Sequence, residues 1–121
     1  MSVMIVTHRK GYEDQAMTSK QRSYLISLAA GIEPVFQVGK AGITPEVVNA
    51  VDEALTAREL VKLTLLRNMG EDEEDSARTL AERTRSQLVT KIGHKVVLYR
   101  ENPKKKNRIV LPEAKKKHED N

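Results

Sequence analysis

At 121 residues and 39% hydrophobic content, the chain has material for one domain with a real core and too little for two. It contains no cysteine, which excludes a disulfide framework and thiolate metal sites, and its apolar runs are far too short to span a bilayer. The formal net charge of +4 is unevenly spread, with six acids against three bases in residues 71–90 and ten bases against two acids in residues 91–117. That asymmetry points to a nucleic-acid partner for the basic part, although a lysine run is also what a plain solvated tail looks like.

Residues 1–16, MSVMIVTHRKGYEDQA, show no sustained periodicity. Their positive charges follow the short apolar run, the reverse of a secretory signal, so a cytoplasmic location is expected. The stretch is expected to be a flexible extension, with Met17 a candidate first residue of the native product. A helix begins at Thr18, which has capping-box spacing to Gln21. Tyr24, Leu25, Leu28 and Ala29 recur at helical intervals, and Gly31 stands where a left-handed C-cap would sit.

Pro34 opens VFQVG, a short β-rich run. After a glycine loop, Thr44 suits an N-cap and Pro45 the first helical position, where a missing N–H costs nothing. Val47, Val48, Val51, Ala54 and Leu55 follow at helical spacing. From Glu59, ELVKLTLL alternates, with Val61, Leu63 and Leu65 on one face and Lys62 and Thr64 on the other, a strand signature. The acids of GEDEEDSAR complement the positive end of a helix, along which Ala77, Leu80, Ala81, Thr84 and Leu88 trace one stripe.

QLVTKIG and KVVLYR then read as two strands around Gly93 and His94. The remainder reads as a loop, a short apolar segment and a charged tail over 113–121, which leaves 17–112 as the domain. Strands alternating with helices, with a closing hairpin, predict one α/β domain of order α-β-α-β-α-β-β around a four-stranded mixed sheet.

The loop Gly39, Lys40, Ala41, Gly42 lies between a strand and a helix start, and its two glycines ask for a reason. A Walker A loop would need glycine at Pro34 and Ser or Thr at Ala41, and the dinucleotide fingerprint lacks its second half. Two readings remain. One is a tight turn needing positive φ. The other is a backbone that must come close to a sugar-phosphate chain, with unpaired N–H groups and Lys40 beside it.

Other chemistry is thin. His8, His94 and His118 have no ligand spacing and read as surface histidines, and no nucleophile is paired with a base, so neither a metal, a cofactor nor an enzymatic activity is expected. The aromatics are Tyr12, Tyr24, Phe36 and Tyr99. Tyr24 and Phe36 fall in apolar patterns and are expected in the core, which leaves no base-stacking platform. RNA contact would then rest on phosphates, sugars and shape, and depend on salt.

KQRSYLISLA, PVFQVGKAGITPEVVNAVDEAL, ELVKL, IGHKVVLYR and KKKNRIVLP together resemble the CRM domain (chloroplast RNA splicing and ribosome maturation), in its bacterial stand-alone YhbY form, over residues 17–112. The resemblance implies a compact α/β domain like the C-terminal domain of translation initiation factor three. It also implies RNA binding through the GxxG loop and neighbouring basic surface, association with precursors of the large ribosomal subunit, and no catalysis. Carried over by position, the site would comprise Gly39, Lys40, Ala41 and Gly42, with Lys20 and Arg22 from the first helix and Arg100 from the last strand. The run Lys104, Lys105, Lys106 would add to the field. Two places depart from the family pattern. Ala30 and Gly31 stand where members often carry histidine, and Thr84, Arg85 and Ser86 stand where a Thr-Gly-Ala-like turn is usual.

The expectation is an RNA-binding protein of large-subunit assembly, with no membrane partner and no small-molecule substrate. The rival is a protein-interaction module docking on a ribosomal protein or an assembly GTPase, with incidental RNA contact. An enzyme acting on a phosphorylated ligand at the same helix start and a DNA binder are further alternatives.

Overall fold

Helix α1 (Ser19–Ala30) opens on the capping box that its sequence spells. The Gln21 N–H donates to Thr18 Oγ1, and the Thr18 N–H donates to Gln21 Oε1, each at 3.1 Å. The computed structural model describes residues 17–66 and 72–112. The extension 1–16, the tail 113–121, the start of the acidic stretch at 67–71, and with them His8, Tyr12 and His118, lie outside the described residues. The end of α1 differs from expectation. Gly31 has φ −96°, outside the left-handed region. The helix ends instead on a tightened turn, with the Gly31 N–H donating to the Leu28 carbonyl at 3.2 Å and the Ile32 N–H to the Ala29 carbonyl at 3.0 Å. Lys62 Nζ from the sheet adds bonds to the Ala29 and Ile32 carbonyls at 3.0 and 3.1 Å, so no left-handed residue is needed.

Strand β1 (Phe36–Val38) leads through the glycine loop into α2 (Pro45–Arg58), whose cap is Thr44 Oγ1 accepting the Val47 N–H at 3.2 Å. Strand β2 (Leu60–Leu65) follows, then α3 (Glu73–Arg83), then the hairpin of β3 (Gln87–Ile92) and β4 (Lys95–Tyr99). Gly93 turns the hairpin with φ +62°, the conformation that a two-residue turn asks of its first central position. The order is the one the sequence predicts. Helix α3 starts on Asp72, whose Oδ1 accepts the Glu74 and Asp75 N–H groups at 2.8 and 3.3 Å. It ends at Arg83, so Leu88 belongs to β3 and not to the helical stripe in which the sequence placed it.

The sheet runs β1-β2-β4-β3, with β1 parallel to β2 and the other pairs antiparallel. It has two covered faces. On one, Val51 and Leu55 of α2 and Ala77, Leu80 and Ala81 of α3 bury Val61, Leu63 and Leu65 of β2 and Val96 and Leu98 of β4. On the other, Leu25 and Ala29 of α1 pack on Leu60, Val89, Val97 and Tyr99, helped by Met17, Ile109 and Leu111. Each fully buried leucine contributes about 2 kcal/mol relative to exposure. Two clusters on opposite faces explain why β4, a central strand, is apolar on both sides after Lys95, whereas β2 keeps Val61, Leu63 and Leu65 on one face and only Leu60, beside Lys62 and Thr64, on the other. Tyr24 corrects the expectation from periodicity: it lies at the edge of the buried stripe of α1 and is 37% exposed, while Phe36 is partly buried against the first cluster.

Candidate nucleic-acid interface

The strands give the molecule two distinct ends. At one end, β1 runs into the loop, and the Gly42 N–H donates to the Gly39 carbonyl at 2.9 Å. This closes a four-residue turn with Lys40 and Ala41 at its corner. The two glycines have different reasons to be there. Gly42 has φ +76°, which a side chain rarely tolerates. Gly39 has no such constraint, and a Cβ placed on it would meet only Leu66 Cδ1 at 3.5 Å, an ordinary contact. Nothing inside the fold therefore demands glycine at position 39. Lys40 is exposed and has no hydrogen bond or ion pair among the described residues. Just beyond it, α2 begins with Pro45, and its N-terminal dipole favours negative charge.

At the other end, Arg100 is already engaged, while Lys104 and Lys106 stay exposed and Lys105 bonds only the Asn107 carbonyl of its own loop. Arg100 Nη1 donates to Asp52 Oδ1 at 2.7 Å and to the Thr84 carbonyl at 2.6 Å. Its Nη2 donates to the Asp52 carbonyl at 3.0 Å and Thr56 Oγ1 at 2.8 Å. The guanidinium thus ties α2 to the end of α3, and its donors are turned inward. Lys104, Lys105 and Lys106 occupy a loop whose two stems are held by one buried residue. Glu59 is 0% exposed; its Oε2 accepts the Asn102 N–H and its Oε1 the Ile109 N–H, each at 2.8 Å. This loop is roughly 20 Å from the Gly39–Gly42 turn, by the length of β2.

The N-terminal cations of α1 lie on the face that α1 covers. Lys20 is exposed, and Arg22 Nη1 donates to the Val89 carbonyl of β3 at 2.8 Å. The structure therefore divides the expected site: the glycine turn at one end of the sheet, Arg100 and the lysine loop at the other, and Lys20 and Arg22 along one face. His94 is half exposed and is not free, since its Nδ1 lies 2.8 Å from Glu73 Oε2, and Lys91 Nζ lies 3.5 Å from Glu73 Oε1. That cluster fixes the start of α3 to the hairpin.

The sequence missed one feature next to the glycine turn. Gln37, Thr64 and Lys95 face each other across β1, β2 and β4, and Ile92 of β3 continues the row. Alternation puts Thr64 on the polar side of β2, but the pairing register that lines up the other three has no local signal. Among the described residues, no group of histidine, cysteine or acidic side chains is arranged to hold a metal, and no helix is long and apolar enough to cross a membrane.

A family model described as the CRS1/YhbY (CRM) domain matches residues 17–100. The chain is 45% identical over 96 residues to the "probable RNA-binding protein YqeI" of Bacillus subtilis, covering 79% of this chain and 99% of that one. It is 31% identical over 96 residues to an "RNA-binding protein" of Haemophilus influenzae, covering 79% and 95%. The solution structure of the Staphylococcus aureus protein SAV1595 superposes with a TM-score of 0.67 at 46% identity, covering 79% of this chain and 99% of that one.

Proposed function

The chain belongs to the CRS1/YhbY (CRM) domain family, and on that premise we propose that it is a non-enzymatic RNA-binding protein of the cytoplasm that associates with precursors of the large ribosomal subunit and assists their assembly. The relatives named as RNA-binding proteins support the RNA partner. The observation that carries the site is the turn from Gly39 to Gly42, which presents a Lys40 with no partner among the described residues ahead of a helix N-terminus and keeps a glycine at position 39 that the described residues do not require. A phosphate there would draw on the Lys40 charge and on close backbone approach at the turn. The helix start itself offers less, since Pro45 has no N–H, Thr44 holds the Val47 N–H and Glu46 already supplies a negative charge.

The test uses the difference between the two glycines. Gly39→Ala is expected to leave the melting temperature unchanged while weakening RNA binding. Lys40→Glu is expected to weaken binding roughly tenfold at physiological salt and to lower the slope of log K against log salt by about 1. Unchanged affinity in both variants would remove the loop from the site. Sedimentation of tagged protein through a gradient of cell lysate tests the setting. Co-migration with large-subunit precursors, abolished by a folded Gly39→Glu, Gly42→Glu variant, is the expected result; migration only at the top of the gradient would overturn it.

A further inference from the structure

We propose that the cross-strand row Gln37, Thr64 and Lys95 is a second RNA contact, over which the strand gripped at the glycine turn continues; the inference rests on the RNA-binding reading above. The three side chains line one shallow concavity of about 590 Å³, together with Pro34, Val35 and Phe36. Their register is direct: Gln37 opposite Thr64, Thr64 opposite Lys95, and Lys95 opposite Ile92. The row spans the four-stranded sheet, about 14 Å at ordinary strand spacing. It lies on the α1 face, one residue before the end of β1 and hence beside the turn that carries Lys40.

Three observations favour a nucleic-acid strand as the occupant. None of the three side chains has a hydrogen bond or ion pair among the described residues, so a donor-acceptor set (a cation, a hydroxyl and an amide) is left facing outward. The only charge in the row is positive, and it extends the field of Lys40 without an intervening acid in the row. The negative end of α1, which borders this part of the sheet and would repel phosphate, is neutralised by Lys62 on the Ala29 and Ile32 carbonyls. At the far end, Ile92 is 63% exposed and offers an apolar surface for a base or a sugar. In this arrangement Lys95 takes a phosphate, while Thr64 and Gln37 bond to sugar hydroxyls, the groups that distinguish RNA from DNA.

The experiment measures binding of the full chain to a fluorescein-labelled stem-loop RNA with a single-stranded tail and to its all-deoxy copy, across a salt series. Lys95→Gln is expected to weaken RNA binding about fivefold and lower the salt slope by about 1, with Lys95→Arg restoring both. The pair Thr64→Val, Gln37→Ala is expected to leave the salt slope alone and shrink the preference for RNA over the deoxy copy. All are surface changes, and far-UV circular dichroism melts verify the fold. If Lys40→Glu weakens binding while the row variants match the parent in slope and preference, the second contact is overturned and the loop stands. If the row variants act and Lys40→Glu does not, the row stands and the loop falls. If neither set acts, both are overturned.

Discussion

The two ends of the sheet use the same residue types for opposite purposes. At the end of β1, Lys40 and the row Gln37, Thr64 and Lys95 hold polar atoms that no other described group satisfies. At the end of β4, Arg100 and Glu59 are spent inside the fold, on Asp52, Thr56, Thr84, Asn102 and Ile109. Charge alone does not separate a binding residue from a structural one; what separates them is whether the chain has supplied the partner. The contrast predicts that substitutions at the Glu59 end change stability and leave RNA binding nearly alone, while those at the loop end do the reverse.

Glu59 should show the largest effect. Replacing it with alanine empties a fully buried side-chain site and leaves the partly buried Asn102 and Ile109 N–H groups without their acceptor. A loss of about 3 kcal/mol in urea denaturation is expected. Glu59→Gln should lose less, since its carbonyl oxygen keeps one of the two bonds. Undiminished stability in both variants would break the contrast at its strongest point. Glu59 also carries φ +67°, a conformation costly for a side chain, which its two side-chain bonds offset.

Tyr99, beside Glu59, supplies a pH test. Burial first, then the charges of Glu59 and Glu101, push its phenol up from 10.0 to about 12, with Arg108 pulling slightly the other way. The folded state therefore holds its proton after the unfolded state has released it. The stabilisation is complete below pH 10 and is lost as pH rises from 10 toward 12. At most about 3 kcal/mol is at stake over that window. Tyr99→Phe should flatten the fall in stability between those pH values, and an unchanged slope would show that other groups set it. Arg100→Ala comes next, at about 1–2 kcal/mol from the lost clamp between α2 and α3. Arg100→Lys should recover little of it, because a lysine cannot reproduce the two-nitrogen fork. RNA affinity should fall far less than in Lys40→Glu; an equal fall would move Arg100 to the binding residues.

The local signals were legible and the long-range ones were not. Thr18 with Gln21, Thr44 with Pro45, and the alternation of Val61, Leu63 and Leu65 each rest on neighbours within a few residues, and each forms as read. The glycine turn was legible as a turn, though only the structure separates the φ demand at Gly42 from the open space at Gly39. Gly31 misled because its helix closes on a tightened turn reinforced by Lys62, thirty-three residues beyond the Ala29 carbonyl it reaches. Tyr24 misled because a stripe at helical spacing has edges, and it stands on one. Arg100 looked like a free cation because its partners, Asp52, Thr56 and Thr84, are all distant in sequence. The row Gln37, Thr64 and Lys95 is set by strand register, which three residues on three separate strands cannot announce.

The smallest expected effect is the one of opposite sign, and it tests the turn that ends α3. The Arg85 N–H donates to the Glu82 carbonyl at 3.2 Å and the Ser86 N–H to the Ala81 carbonyl at 2.9 Å, the paired bonds of a Schellman ending to α3. Such an ending needs a left-handed residue at the position Arg85 occupies, and Arg85 has φ +57°. A glycine would adopt it without a Cβ clash, at the cost of more freedom in the unfolded chain. The steric gain should exceed the entropic loss, so Arg85→Gly is expected to stabilise the protein by about 0.5–1 kcal/mol. Arg85 is exposed on the side of the molecule away from the glycine turn, so its RNA affinity should drop by no more than one distant positive charge accounts for at physiological salt. A destabilised Arg85→Gly would mean that the arginine side chain holds this turn, and a large loss of affinity would place a binding residue at the end assigned to structure.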